Sequence, residues 1–316
     1  MWLLLAVAAS LGLAALTIWI LVPFQRDLAR IHDRIASLPA KVADTRCGAI
    51  EYLEEGNGPA TLIVHGIWGG FDQGLLNVRG VLETGGHIIA VSRFGYLGSP
   101  MPDRASVEAQ ADLYACLIEE LQLGPVTVVA HSAGATSALQ LALRHPDLVK
   151  AMVLISPNAP GEVEVTLPPR SIAEIAFRSD LLFWWLGTYG TSMLYGTMGV
   201  PSDYRLSDDQ EAYVAEMAKT VLPASLRYNG TLFDMYTSNP AVNDYPVEQV
   251  QVPTLIVSAR DDPMALYRNA AALAARIPSA ELLTLETGGH MLLGNDETIA
   301  STVRRFLAAY DLAPAM

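Results

Sequence analysis

Short apolar runs near residues 61–65, 87–92, 125–131, 149–156, 252–258 and 280–286 alternate with segments whose apolar positions recur at helical spacing, 105–122, 133–145, 265–277 and 296–310. The runs predict buried strands and the periodic segments amphipathic helices. Strands that alternate with helices pair in parallel and carry helices on both faces, so the pattern predicts a doubly wound, mainly parallel α/β sheet. Ala43 to Tyr52 reads as an initial hairpin. Between Ser156-Pro157 and Val252-Pro253 the pattern changes, over an interval too long for a simple crossover. It carries helical stretches at Ile172 to Leu186 and Ala212 to Val221, with Phe183, Trp184, Trp185, Tyr189, Met193, Tyr195, Met198, Met217 and Met235. Such residues could line an apolar site, although most of them serve to hold the helices together.

The amino terminus departs from this rhythm. Met1 to Phe24 has no charged side chain, and Trp2 to Val22 is apolar apart from Ser10 and Thr17. About 20 residues cross the roughly 30 Å hydrocarbon layer, so the segment predicts one transmembrane helix. A cleaved signal peptide is the rival; the absence of a basic residue ahead of the run and of a small-x-small site argues against it. Arg26, Arg30, Arg34 and Lys41 follow the span and, by the positive-inside rule, place the rest of the chain on the cytoplasmic side of a bacterial plasma membrane. Gln25 to Ala40 predicts an amphipathic helical stalk, resting on anionic headgroups or serving as a solvated spacer.

Candidate chemistry collects at strand ends. Val128-Val129-Ala130-His131-Ser132-Ala133-Gly134 puts Ser132 on a tight bend between a strand and a helix, where small neighbours allow the two to approach and the oxygen is raised above the sheet. A serine nucleophile needs a base, and the base an orienting carboxylate. The strand 252–258 runs into Ala259-Arg260-Asp261-Asp262-Pro263, and the strand 280–286 into Thr287-Gly288-Gly289-His290. His290 is the base by context and by elimination. His32 and His145 read as surface residues, His87 as packed or at an edge, and His131 as structural on the far side of the bend. Asp261 and Asp262 are adjacent, and only one can face His290. Donors for an oxyanion would be the backbone amide of Ala133, after the serine, and that of Ile67 in the glycine-rich loop His65-Gly66-Ile67-Trp68-Gly69-Gly70.

Taken in order, the His65-Gly66 loop, Arg93-Phe94-Gly95-Tyr96-Leu97-Gly98-Ser99-Pro100, the serine bend, Arg260-Asp261-Asp262-Pro263 and Gly288-Gly289-His290 resemble the α/β-hydrolase superfamily across residues 43 to 312. Within that family the bend is G-x-S-x-G, here with Ala130 for the first glycine. The Arg93 motif lacks the family's aspartate and contains Leu97. The acid motif G-x-x-D-x-x-x-P, with Ala259 in the glycine's place, selects Asp262. The resemblance implies a catalytic set of Ser132, Asp262 and His290, an oxyanion hole from Ile67 and Ala133, and a helical cap over the site. It is nearest to serine esterases, lipase-like members and C–C hydrolases of the meta-cleavage type. The implied organisation is an anchor over 1–24, a stalk over 25–42, a hydrolase core over 43–157 and 248–316, and a cap over 158–247.

Composition changes this picture little. With 316 residues, 51% of them hydrophobic, the chain can fill one capped hydrolase core beside an anchor, and a formal net charge of −13 argues against nucleic-acid binding. Neither a metal-ligand cluster nor a phosphate-binding glycine fingerprint is present, and acyl transfer needs no cofactor. Cys47 and Cys116 are far apart in sequence and predict no disulfide, which favours a reducing compartment. The expected function is hydrolysis of small-molecule carboxylic esters, amphiphilic or lipid-like. C–C bond hydrolysis and a non-catalytic hydrolase-fold receptor or scaffold are the alternatives.

Overall fold

The computed structural model describes residues 1–78, 81, 86–162 and 167–310. Eight strands form one sheet: β1 (Ala40–Thr45), β2 (Gly48–Glu55), β3 (Ala60–Val64), β4 (His87–Val91), β5 (Val126–His131), β6 (Val149–Ile155), β7 (Thr254–Ala259) and β8 (Ala280–Leu285), in the order β1-β2-β4-β3-β5-β6-β7-β8. The hairpin β1–β2 and its junction with β4 are antiparallel, and every other pairing is parallel. Every residue of β7 is buried, as is all of β5 but its last, because parallel strands are covered on both faces.

The helices that cover it are α1 (Trp2–Ser37), α2 (Phe71–Val78), α3 (Val107–Glu120), α4 (Gly134–Arg144), α5 (Arg170–Phe177), α6 (Asp180–Tyr189), α7 (Thr191–Thr197), α8 (Asp208–Lys219), α9 (Tyr228–Phe233), the single turn α10 (Asn239–Ala241), α11 (Tyr267–Arg276) and α12 (Asp296–Ala309). One face of the sheet packs Leu113 of α3, Leu139 of α4 and Leu273 of α11 into a core with Leu62, Val128 and Ile256. The other packs Phe71 of α2 and Val303 and Phe306 of α12 against Ile63, Val129 and Val257. Helices α5 to α10 lie between β6 and β7, two of them with start signals in the sequence: Ser179 caps α6, and Ser207 forms a reciprocal capping box with Gln210 at α8, as Ser106 caps α3 in the core.

At β3 the strand order reverses, with β4 on one side and β5 on the other. The loops leaving β3 and β5 therefore diverge and open a crevice at their carboxyl ends, the usual ligand position in an open α/β sheet.

Two expectations need correction. Cys47, in the turn between β1 and β2, is disulfide-bonded to Cys116 of α3. The partners are 69 residues apart in sequence, but α3 packs over the hairpin, and the Arg46–Glu119 ion pair closes beside them. The second concerns residues 25–40. Residues 25–37 continue α1 and dock on the protein instead of resting free, and Ala40 opens β1: Leu28 and Ile31 pack with Phe24, Phe183 and Trp184, and Arg34 pairs with Asp72 at 3.3 Å. Of the expected anchor, the side chains at 3–9, 11 and 13–15 lie outside the described residues. Among the described residues no helix is long and apolar enough to cross a membrane.

Candidate active site

Ser132 closes β5 with φ of 52°, left-handed backbone that a non-glycine residue holds only when its surroundings impose it. Its N–H donates to the Ile155 carbonyl at 2.9 Å, and its carbonyl accepts from the Asn158 N–H at 3.0 Å, which pins both sides of the bend. Gly134 is required by contact: a Cβ there would stand 2.6 Å from the carbonyl oxygens of Val64 and His65. Ala130 is fully buried, so the methyl that replaces the family's glycine is absorbed in the core.

The Ser132 Oγ and His290 Nε2 are 2.8 Å apart, and His290 Nδ1 and Asp262 Oδ2 are also 2.8 Å apart. All three residues are buried. The other Asp262 oxygen accepts from the Met264 and Ala265 amides at 2.8 and 2.9 Å, so the carboxylate is fixed on both sides. Asp261 turns away. Its oxygens accept from the Gly288 and Gly289 amides at 3.1 and 2.9 Å, and it secures the loop that carries His290. That loop is also held from the helical segment between β6 and β7, where the Gly199 carbonyl accepts from the His290 N–H at 2.9 Å.

His131 is not on the far side of the bend, as its sequence position suggests. Its ring lies 5.1 Å from that of His290, and it lines the same cavity as Ser132. Burial, and then the neighbouring His290 charge, push His131 down to about 3, so it stays neutral.

The cavity has a volume of about 80 Å³ and is walled by Ile67 and Trp68 from the loop after β3, by Met198, Tyr213 and Met217 from the helical segment, and by Met264 and Met291 from the loops bearing Asp262 and His290. A second cavity of about 330 Å³ shares Asn77, Ile155, Tyr213 and Met291 with it. Of the aromatic and methionine residues singled out between β6 and β7, Met198 and Met217 reach the first cavity. Phe183 and Trp184 pack against α1, while Trp185, Tyr189 and Met193 are exposed. Ala133, the other expected oxyanion residue, is buried directly after Ser132.

A buried polar scaffold beneath the site went unrecognised in the sequence. His65 Nε2 accepts from the Arg93 N–H at 3.0 Å, and its Nδ1 donates to the Gly66 carbonyl at 2.6 Å. Arg93 donates to the same carbonyl at 3.1 Å and forms a two-pronged ion pair with Asp234, which also accepts from the Tyr96 hydroxyl. Arg227 donates to the Gly69 carbonyl at 2.5 Å and pairs with Asp72, the partner of Arg34. The loop containing Ile67 is thus gripped at both ends by buried arginines.

His65 gives this scaffold an acid limit. Burial, and next the Arg93 charge, hold its pKa well below the usual histidine value, and protonated Nε2 would aim a second N–H at the Arg93 amide. The unfolded chain takes up this proton near 6.5 and the folded chain only at lower pH. Stability is therefore complete above about pH 7 and falls as the pH drops below about 6.5, by up to roughly 1.4 kcal/mol per pH unit for this group. Urea unfolding between pH 7 and 5 checks it: the slope should flatten by about one proton in His65→Gln, and an unchanged slope refutes the assignment.

The chain matches the alpha/beta hydrolase fold family over residues 59–296 and belongs to that family. It is 26% identical over 224 residues to RutD of Rhizobium rhizogenes, described as a carbamate hydrolase, covering 68% of this chain and 79% of that one. It is 32% identical over 104 residues to the mouse sn-1-specific diacylglycerol lipase ABHD11, covering 33% of this chain and 34% of the lipase. Among solved structures, an alpha/beta hydrolase fold protein from Nakamurella multipartita superposes with a TM-score of 0.69 at 25% identity, covering 86% of this chain and 98% of that one.

Proposed function

We propose that this chain is a serine hydrolase that cleaves amphiphilic or lipid-like carboxylic esters through an acyl-enzyme. The observation that carries the reading is the continuous Ser132–His290–Asp262 hydrogen-bond chain opening on a cavity walled largely by apolar side chains. His290 takes the Ser132 proton, the oxygen attacks the ester carbonyl, and the Ala133 and Ile67 amides face the developing oxyanion. His290 then protonates the departing alcohol. In the second half it deprotonates a water that attacks the acyl-enzyme, and the returning proton restores Ser132. Asp262 holds the imidazole with Nδ1 protonated and offsets its charge. The names of two relatives, a carbamate hydrolase and a diacylglycerol lipase, support attack on a carbonyl that bears a heteroatom leaving group.

Hydrolysis of p-nitrophenyl esters of graded acyl length by the full chain in detergent, beside Ser132→Ala, tests the reading. Serine-dependent turnover supports it; its absence, with Ser132 still labelled by a fluorophosphonate, moves the assignment to C–C hydrolysis. The cavities add a size prediction. Tyr213 lines both, so Tyr213→Ala should join them and move the preferred acyl chain several carbons longer. An unshifted optimum would place the acyl group elsewhere.

In this proposal α1 tethers the enzyme to a membrane, with the domain in an oxidising compartment. The Cys47–Cys116 pair supports that side. The basic residues that argued for the cytoplasm each pair with a nearby carboxylate: Arg26 and Arg30 with Asp27, Arg34 with Asp72, and Lys41 with Glu54. Maleimide labelling of the membrane-bound protein only after reduction is the expected result. Labelling without a reductant would return the domain to the cytoplasm.

A further inference from the structure

Apolar exposure on this molecule is segregated. Among the described residues, every exposed large hydrophobic side chain except Val42, Leu226 and Tyr310 lies either before residue 23 or between residues 167 and 193. On α6, Leu181, Trp185 and Tyr189 recur every fourth residue and form one outward stripe, with Leu182 beside it. Ile172 and Ile175 of α5 and Met193 of α7 extend the patch, Ile175 being 75% and Met193 67% exposed. Scattered apolar residues are ordinary on a protein surface, whereas a contiguous patch marks an interaction site.

The patch continues the apolar part of α1. Trp19 stacks on Tyr189 at 5.9 Å, Phe24 meets Trp184 edge-on at 5.6 Å, and the Trp184 indole donates to Asp27 at 3.1 Å. The two helices therefore lie together, and the outward residues Ile18, Trp19 and Val22 of α1 join the stripe of α6. Trp and Tyr side chains favour the boundary between headgroups and acyl chains, where an apolar body and a polar edge are both accommodated. Arg26, Arg30 and Arg178, all well exposed, are placed near this patch on the elements that carry or adjoin it.

We propose that the α5–α7 face, together with residues 18–22 of α1, docks in the interface of a lipid bilayer, with Trp19, Trp185 and Tyr189 at headgroup depth. The occupant is lipid because the patch is continuous with the apolar helix and its aromatic residues have interfacial character. The face also leads inward. Phe177 and Phe183 stack at 5.7 Å, and both rings lie against Trp68, at 6.1 and 6.4 Å; Trp68 walls the cavity that holds Ser132. A continuous run of packed aromatic rings thus links the docked face to the wall of the serine's cavity. Delivery of a bilayer-borne ester along it rests on the ester-hydrolase reading; the docking does not.

The test uses the full chain in vesicles of phosphatidylethanolamine and phosphatidylglycerol. Both native cysteines are paired, so an environment-sensitive fluorophore can be placed on Ile175→Cys or Met193→Cys, with Ser301→Cys, exposed on α12, as the control. Vesicle binding should shift the emission of the first two to the blue and expose them to quenching by brominated lipid, leaving the third unchanged. If labels at 175 and 193 stay as wet as the one at 301 in vesicles that carry the chain, the proposal fails. Ile175→Glu combined with Met193→Glu should lower turnover of a vesicle-embedded ester at least tenfold and spare a water-soluble short-chain ester. Equal loss on both substrates overturns the delivery path. A chain that hydrolyses neither ester overturns the activity, while the fluorescence still decides the docking.

Discussion

Replacing Ser132 by alanine is expected to lower kcat on any ester substrate by on the order of 10⁶-fold, the loss seen when a member of a serine-histidine unit is removed. At about 1.4 kcal/mol per tenfold, that is roughly 8 kcal/mol of transition-state stabilisation. The Oγ has its hydrogen bond to His290, and the bend itself is held by backbone bonds to Ile155 and Asn158, so the variant should fold as the parent does. His290→Ala should cost about as much, and the double variant little more, because either change disables the same proton transfer. The two aspartates should separate in the same assay. Asp262→Asn should lose on the order of 10⁴-fold, since an amide there presents an N–H or a neutral oxygen to Nδ1 and no longer stabilises the imidazolium. Asp261→Asn keeps one acceptor for Gly288 or Gly289 and should lose on the order of tenfold, through a looser His290 loop. Steady-state kinetics with fluorophosphonate labelling reads both. Turnover by Ser132→Ala within a hundredfold of the parent, or a larger loss in Asp261→Asn than in Asp262→Asn, would overturn the assignment.

What could be read from the sequence follows the range of the forces involved. Strands β3 to β8 and helices α3, α4, α11 and α12 were legible because periodicity and burial are written locally, and observed ends lie within two residues of those expected. Ser132, Asp262 and His290 were legible as candidates because each falls within a few residues of the carboxyl end of an apolar strand, where such sheets present ligand-facing groups. Cys47 and Cys116 failed as a pair in the sequence because their proximity depends on how α3 lies over the β1–β2 hairpin, a tertiary fact without a local mark. His131 was placed on the wrong side because the left-handed turn at Ser132 reorients its neighbour, and residue spacing does not reveal a φ of 52°. The docking of residues 24–35 depended on the apolar face of α6, which itself reads only as a generic helical stretch. Arg93 and Asp234 had no shared signal at all, being 141 residues apart in the chain.

Removing Asp234 is expected to cost about 3–5 kcal/mol of stability, because it strands a buried guanidinium. Arg93 and Asp234 are both essentially inaccessible, with side-chain exposures of 2% and 0%. Asp234→Ala also leaves the Tyr96 hydroxyl without its acceptor, and Arg93 Nε already has no partner. For a domain of this size the cost corresponds to a melting temperature lower by roughly 10 °C. The consequence reaches the site, since Arg93 also holds the Gly66 carbonyl, one residue before Ile67, so turnover should fall in the variant at temperatures where it remains folded. Arg93→Met combined with Asp234→Leu removes both charges and should recover most of the stability, because an apolar pair of similar bulk carries no desolvation cost. It should not recover the turnover, because the Arg93 bond to the Gly66 carbonyl is then lost. Thermal unfolding and ester kinetics on the single and double variants separate the two effects. If Asp234→Ala melts with the parent, the ion pair contributes no net stability, and the loop after β3 is held by His65 and Arg227 alone.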